Sequence, residues 1–164
     1  MVRPLRRLPD AVRSTLGLST PVLAFAQLTG DAWAVGTRAG LHLLRGGEVF
    51  ARAWTDVDGA RLDAESDILT LTWVDGSPET ALALAEGRRA RFPRLVHHQV
   101  QASVVHSESI TLPRGEVARV VLRRGGLGEL FTQVIGSGAV DLDDPAVARL
   151  VDAAEARVRA AAGL

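Results

Sequence analysis

The chain has no cysteine among its 164 residues. That excludes disulfides, thiolate metal sites and a thiol nucleophile, and it suits a reducing compartment such as the cytoplasm. Lysine is missing as well. Each of the 19 basic residues is an arginine, which removes Schiff-base chemistry and the lysine of a phosphate-binding P-loop. Aromatics are few, limited to Trp33, Trp54, Trp73 and four Phe, with no RNP-type motif. The stacking platforms of a dedicated nucleic-acid binder are therefore not expected. Long apolar runs are also absent. The basic start, Arg3, Arg6 and Arg7, is followed by an apolar run of five residues at 22–26. A signal core needs roughly 7–15 residues and a membrane span ~20, so neither export nor stable membrane insertion is expected.

What is present is one domain's worth of chain, able to bury roughly 70% of the surface its unfolded form exposes, with an uneven distribution of charge. The formal net charge is zero, yet residues 31–86 carry four Arg against ten acids, and residues 87–124 carry eight Arg against Glu108 and Glu116. An acidic middle is followed by a basic stretch.

Leu5, Leu8, Val12 and Leu16 recur at helical spacing beside Pro9, which predicts a short amphipathic helix in an N-terminal arm, residues 1–21. From residue 22 the pattern changes to short β-rich runs cut by Gly and Asp: 22–29, 32–37, 41–45, 48–54, 60–65, 68–74 and 79–86, and seven such strands in about 65 residues with tight turns favour a barrel or a pair of orthogonal sheets. In 68–74, Leu69, Leu71 and Trp73 alternate with Thr70 and Thr72, the signature of a half-buried strand. Pro93 opens a predicted helix over 93–107 with Val96, Val100 and Val104 as its apolar stripe. A hairpin over 116–124 and 129–135, joined by Gly125-Gly126-Leu127-Gly128, comes next. The last helix is strongly signalled, with Asp144 as N-cap, Pro145 in its first position and Val147, Leu150, Val151, Ala154 and Val158 on one face.

The stretches "TRAGLHLL", "WTDVDGARLDAESDILTLTWVDG" and "ETALALAE" resemble the pattern of bacterial PH-like and GRAM-like domains, and the chain is similar to an uncharacterised actinobacterial family of small proteins. The resemblance implies an α+β fold: a PH-like small β-barrel of about seven antiparallel strands over 22–107 with 93–107 as its closing helix, extended over 108–164 by a hairpin and a C-terminal helix, all in a single domain. It also implies a non-catalytic binding or protein-interaction module. In phosphoinositide-binding members the loop between the first two strands is basic; here that loop is Thr29-Gly30-Asp31, short and acidic.

No catalytic motif, cofactor or metal site stands out. His97 and His98 are adjacent on a predicted helix, so their side chains diverge by about 100° and do not readily share one ion; either, with a carboxylate from elsewhere, is the alternative acid/base centre of a small enzyme. His98 and His106, eight apart, point roughly 80° from each other on the same helix. His42 sits between Leu41 and Leu43 in a strand, which reads as an edge or outward position. Asp141, Asp143 and Asp144 supply the carboxylates that a helix N-terminus attracts, and Asp56 and Asp58 read as turn formers beside Gly59. Gly136-Ser137-Gly138 completes neither a dinucleotide fingerprint nor a nucleophile elbow. The candidate site is instead an arginine patch: Arg88, Arg89, Arg91 and Arg94 around the start of the 93–107 helix, with Arg119, Arg123 and Arg124 on the hairpin. Arg119, Val121 and Arg123 share one strand face, expected to be exposed. If these groups converge, their guanidinium forks suit an acidic protein surface or a small anionic ligand. The last helix is expected to pack on the domain or on a second copy.

Overall fold

The computed structural model describes residues 7–85 and 91–164. Its element order is α1 (Asp10–Thr15), β1 (Val22–Leu28), β2 (Ala32–Thr37), β3 (Gly40–Arg45), β4 (Glu48–Ala53), a 3-10 turn (Trp54–Asp56), β5 (Val57–Asp63), β6 (Ile68–Trp73), β7 (Thr80–Ala83), α2 (Phe92–Ser103), β8 (Val104–Thr111), β9 (Val117–Arg124), β10 (Leu130–Gly136) and α3 (Pro145–Ala161).

The molecule is α+β, but the expected barrel does not form. Its strands make three antiparallel sheets, β1-β2-β3-β4, β5-β6-β7 and β10-β9-β8. The first two face each other and enclose the largest core: Ala26, Ala34, Leu41, Leu43, Leu69, Leu71, Trp73 and Leu82, with Phe92, Val96 and Val100 of α2. On one side, among the described residues, they meet through the single bridge Leu28↔Leu84, flanked by hydrogen bonds from Thr29 N–H to Ala83 O and from Ala85 N–H to Gln27 O. On the other side the chain passes from β4 to β5 through the 3-10 turn with no ladder between the strands. Aromatic packing covers that seam instead. Phe50 of β4 meets Trp73 of β6 edge-on at 5.7 Å, and the Arg52 guanidinium lies over both rings.

β2 is buried along its whole length. Ala32 and Ala34 face the main core, while Trp33 and Val35 face a second cluster with Leu8, Val12 and Leu16 around α1. This is why β2 reads as a run of small and apolar residues without polar alternation. α2 packs against β1, β2 and β5. Its close approach depends on Gly36, where a β-carbon would stand 2.3 Å from Leu95 Cδ2.

The 93–107 helix is also corrected. It ends at Ser103, and the chain enters β8 at Val104 without a loop. The predicted two-stranded hairpin is therefore a three-stranded sheet with β9 in the middle. Val104, read as part of the helical stripe, is exposed at the start of β8, and His106 lies on that strand. Ala118, Val120 and Leu122 of β9 pack with Ile110 and with Val147, Val151, Ala154 and Val158 of α3 in a separate core. Leu150 lies off that stripe and is exposed. Asp144 caps α3, its carboxylate accepting from Ala146 N–H at 2.8 Å. Among the described residues no helix is long and apolar enough to cross a membrane.

Candidate functional site

β9, the middle strand of the third sheet, is covered on both faces. The even positions of β9 meet α3, and the odd positions meet the sandwich, which corrects the expectation that Arg119, Val121 and Arg123 form an exposed face. Val121 and Arg123 are each 1% exposed. The Arg123 guanidinium donates through Nε to Gln133 Oε1 at 3.0 Å, through one terminal nitrogen to Ser103 Oγ at 2.7 Å, and through the other to Val57 O at 3.2 Å. One side chain thus ties β10, α2 and β5 together. Gln133 extends the tie by donating to Thr55 O at 3.0 Å. Burial pulls the Arg123 pKa below its ordinary value; Asp58 and Asp56 push it back up and Arg119 adds to the depression. Arginine remains charged under these conditions, so the chain holds a buried cation beneath this region, satisfied by neutral acceptors.

The other arginines of the predicted patch are separated. Arg119 is paired with Asp58. Arg91 and Arg94 are exposed at the first turn of α2, and Arg88 and Arg89 lie outside the described residues. Arg124, exposed at the end of β9, faces a different set of neighbours.

Those neighbours line a cleft of about 200 Å³ formed by Arg38, Ala39, Ala53, Trp54, Thr55, Gln99, Ala102, Ser103, Arg124, Gly125 and Gly126. Three elements position it. The β2–β3 turn is held by Thr37, whose hydroxyl donates to Gly40 O and accepts from Gly40 N–H, each at 3.3 Å. Trp54 Nε1 donates to Thr37 O at 2.8 Å, fixing that turn to the 3-10 turn. The β9–β10 turn closes through Gly125 N–H to Glu129 O at 2.8 Å, while the Glu129 carboxylate accepts from Leu127 N–H at 3.0 Å. α2 contributes Gln99, Ala102 and Ser103, and Ser103 is the residue that accepts from Arg123 beneath.

No acidic residue among the described residues lines the cleft. Among the described residues neither Arg38 nor Arg124 has a carboxylate within 4.0 Å, whereas Arg7, Arg52, Arg119 and Arg157 all do. Two unpaired guanidinium groups beside a recess, with amide and hydroxyl groups at its floor, can grip a carboxylate or phosphate bidentately. Along α2 the cleft lies roughly 15 Å from Arg91, at 1.5 Å rise per residue. Neither Arg91 nor Arg94 lines the cleft.

The histidines are placed differently from one another. His97 and His98 are exposed on α2, and neither is hydrogen-bonded to a carboxylate among the described residues. His42 is not at an edge. β3 is paired on both sides, and His42 is half-buried with Nε2 at 3.3 Å from Thr37 Oγ1, its pKa lowered by that burial. Asp141 accepts from Asp143 N–H at 3.1 Å as a turn former. Among the described residues no group of three or more His, Asp or Glu is arranged to hold a metal ion.

Arg38, Gln99 and Trp54 were not singled out by sequence as ligand contacts. Residues 38, 99 and 124 become neighbours only when a turn of the first sheet and a turn of the third close on the end of α2. Comparison with protein-family models, with curated proteins and with solved structures finds no match to this chain.

Proposed function

We propose that the chain is a non-catalytic binding module that takes an anionic group, a carboxylate or a phosphate, between Arg38 and Arg124. The observation that carries this reading is the cleft itself: among the described residues its two exposed guanidinium groups lack a carboxylate partner and no acid lines it. The size of the recess suits one anionic group rather than an extended chain, so an acidic protein would engage it through a single projecting side chain or terminus. The buried Arg123 cation beneath Ser103 adds to the favourable potential, and Asp58 and Asp56 offset part of it. A cytoplasmic setting fits a chain without cysteine.

The test is a titration followed on the Trp54 indole N–H by NMR, using inorganic phosphate and, separately, a short glutamate-rich peptide. A saturable shift that weakens as salt is raised is expected, and the Arg38→Ala, Arg124→Ala double variant should weaken it tenfold or more, about 1.4 kcal/mol. Equal binding by the double variant, or no saturable shift with either probe, defeats the proposal.

A further inference from the structure

β4 is an unusually open sheet edge. Glu48, Val49, Phe50, Ala51 and Ala53 are all exposed, and among the described residues the strand pairs only with β3. The other edges are obstructed. β1, β5 and β8 each carry a register shift at their first residues, β7 is four residues long, and β10 is partly buried along its length. Bulges, short strands, proline and lysine are the usual means of keeping an edge from pairing with another chain. β4 has no bulge and no proline, and beside Glu48 and Arg52 it carries the exposed apolar side chains Val49 and Phe50.

We propose that β4 is a self-association edge, through which a second copy of this chain pairs antiparallel about a two-fold axis at Phe50. The hydrogen-bonding parity of the strand fixes which registers are possible. Arg45 and Glu48 flank the two-residue turn Gly46-Gly47, whose φ angles are 55° and 83°, as in a type I′ hairpin. The flanking pair of such a hairpin exchanges hydrogen bonds across the strands, so on β4 the even positions bond to β3 and the odd positions, Val49, Ala51 and Ala53, turn their N–H and C=O outward. Ala53 N–H donates to Asp56 Oδ2 at 3.2 Å, which agrees with an outward direction and also removes that donor from any ladder. A register centred on Ala51 would need it. A register centred on Phe50 uses Val49 opposite the partner's Ala51 and needs no other outward donor.

That register also sets Glu48 opposite Arg52 of the second copy, and the reverse by symmetry. The two charges are of opposite sign and share the strand face that carries Phe50. Glu48 has no hydrogen bond or ion pair among the described residues. Arg52 is already ordered, bonded to Asp75 Oδ2 at 2.8 Å and seated over the Phe50 and Trp73 rings at 5.5 and 5.1 Å, with further N–H donors available to a second carboxylate. An edge whose charges are complementary to themselves invites an isologous dimer. This inference does not depend on the Arg38–Arg124 cleft.

Sedimentation velocity on the full chain over a range of concentrations tests it. A reversible monomer–dimer equilibrium is expected. Ala51→Pro, which removes an outward N–H at an edge position where proline is tolerated, should give a monomer with an unchanged circular-dichroism spectrum. Glu48→Arg, at an exposed position beside the turn, keeps the test open should the proline variant fail to fold. It places like charges opposite each other twice, and the dimer should weaken about tenfold. A chain that stays monomeric up to about millimolar concentration, or a dimer indifferent to Glu48→Arg, such as one formed through α3, overturns the proposal.

Discussion

Arg123 and Arg124 are neighbours of the same type with opposite surroundings. One is sealed between β5, α2 and β10, and the other lies open at the cleft. Strand alternation separates their faces, but which face is inside depends on α3 covering one side of β9 and the sandwich covering the other. Val121, between Arg119 and Arg123, was the available signal, since a wholly exposed face seldom carries a well-packed valine. Truncating Arg123 would leave Ser103 Oγ, Gln133 Oε1 and Val57 O short of a donor around a new void. Arg123→Ala is therefore expected to cost about 3 kcal/mol, read as a lower urea midpoint with an unchanged slope. Arg123→Lys should recover little of this, because an ammonium on a flexible stem does not reproduce a planar fork.

At the scale of elements, much of the chain was legible: the β-rich runs before residue 86, the alternation of β6, and the Asp144 cap and apolar stripe of α3 all follow local rules. The end of α2 was not. Val104 continues the four-residue spacing of Val96 and Val100, and no glycine or proline marks a stop, so periodicity ran on where pairing with β9 took over. The placement of α2 rests on Gly36, a residue whose importance appears only when the helix is set against β2. Gly36→Ala would press on Leu95 and on Trp54, whose Cζ2 lies 3.3 Å from the added carbon. A loss of about 1–2 kcal/mol is expected, partly relieved when Leu95→Ala is combined with it, as a double-mutant cycle in urea would measure.

For the whole molecule, the barrel expected from the strand count did not close, because closure depends on edge pairing that no local pattern encodes. Stability in acid is also a property of the whole chain. The Glu65 N–H first, with further bonds from Ser66, holds the Asp63 carboxyl below its ordinary pKa. Ser77 and then Arg52 do the same for Asp75, and Arg157 for Glu108. With folded values lowered, the unfolded chain binds more protons in acid. The stability these groups lend is present above about pH 4 and lost as pH falls below it. Urea midpoints should drop between neutral pH and the acid range, modestly because these groups are exposed, and less steeply in Glu108→Gln. One last consequence belongs to the junction at Ser103 and Val104, where α2 becomes β8 with no slack. Gln99, Ala102 and Ser103 sit at the cleft, on the last turn of a helix whose next residue is the first rung of the third sheet. With no loop between them, the direction in which α2 ends fixes the direction in which β8 begins, and β8 carries Glu108 to its pairing with Arg157 of α3. The cleft and the far helix are thus built on one continuous stretch of chain, 99–108.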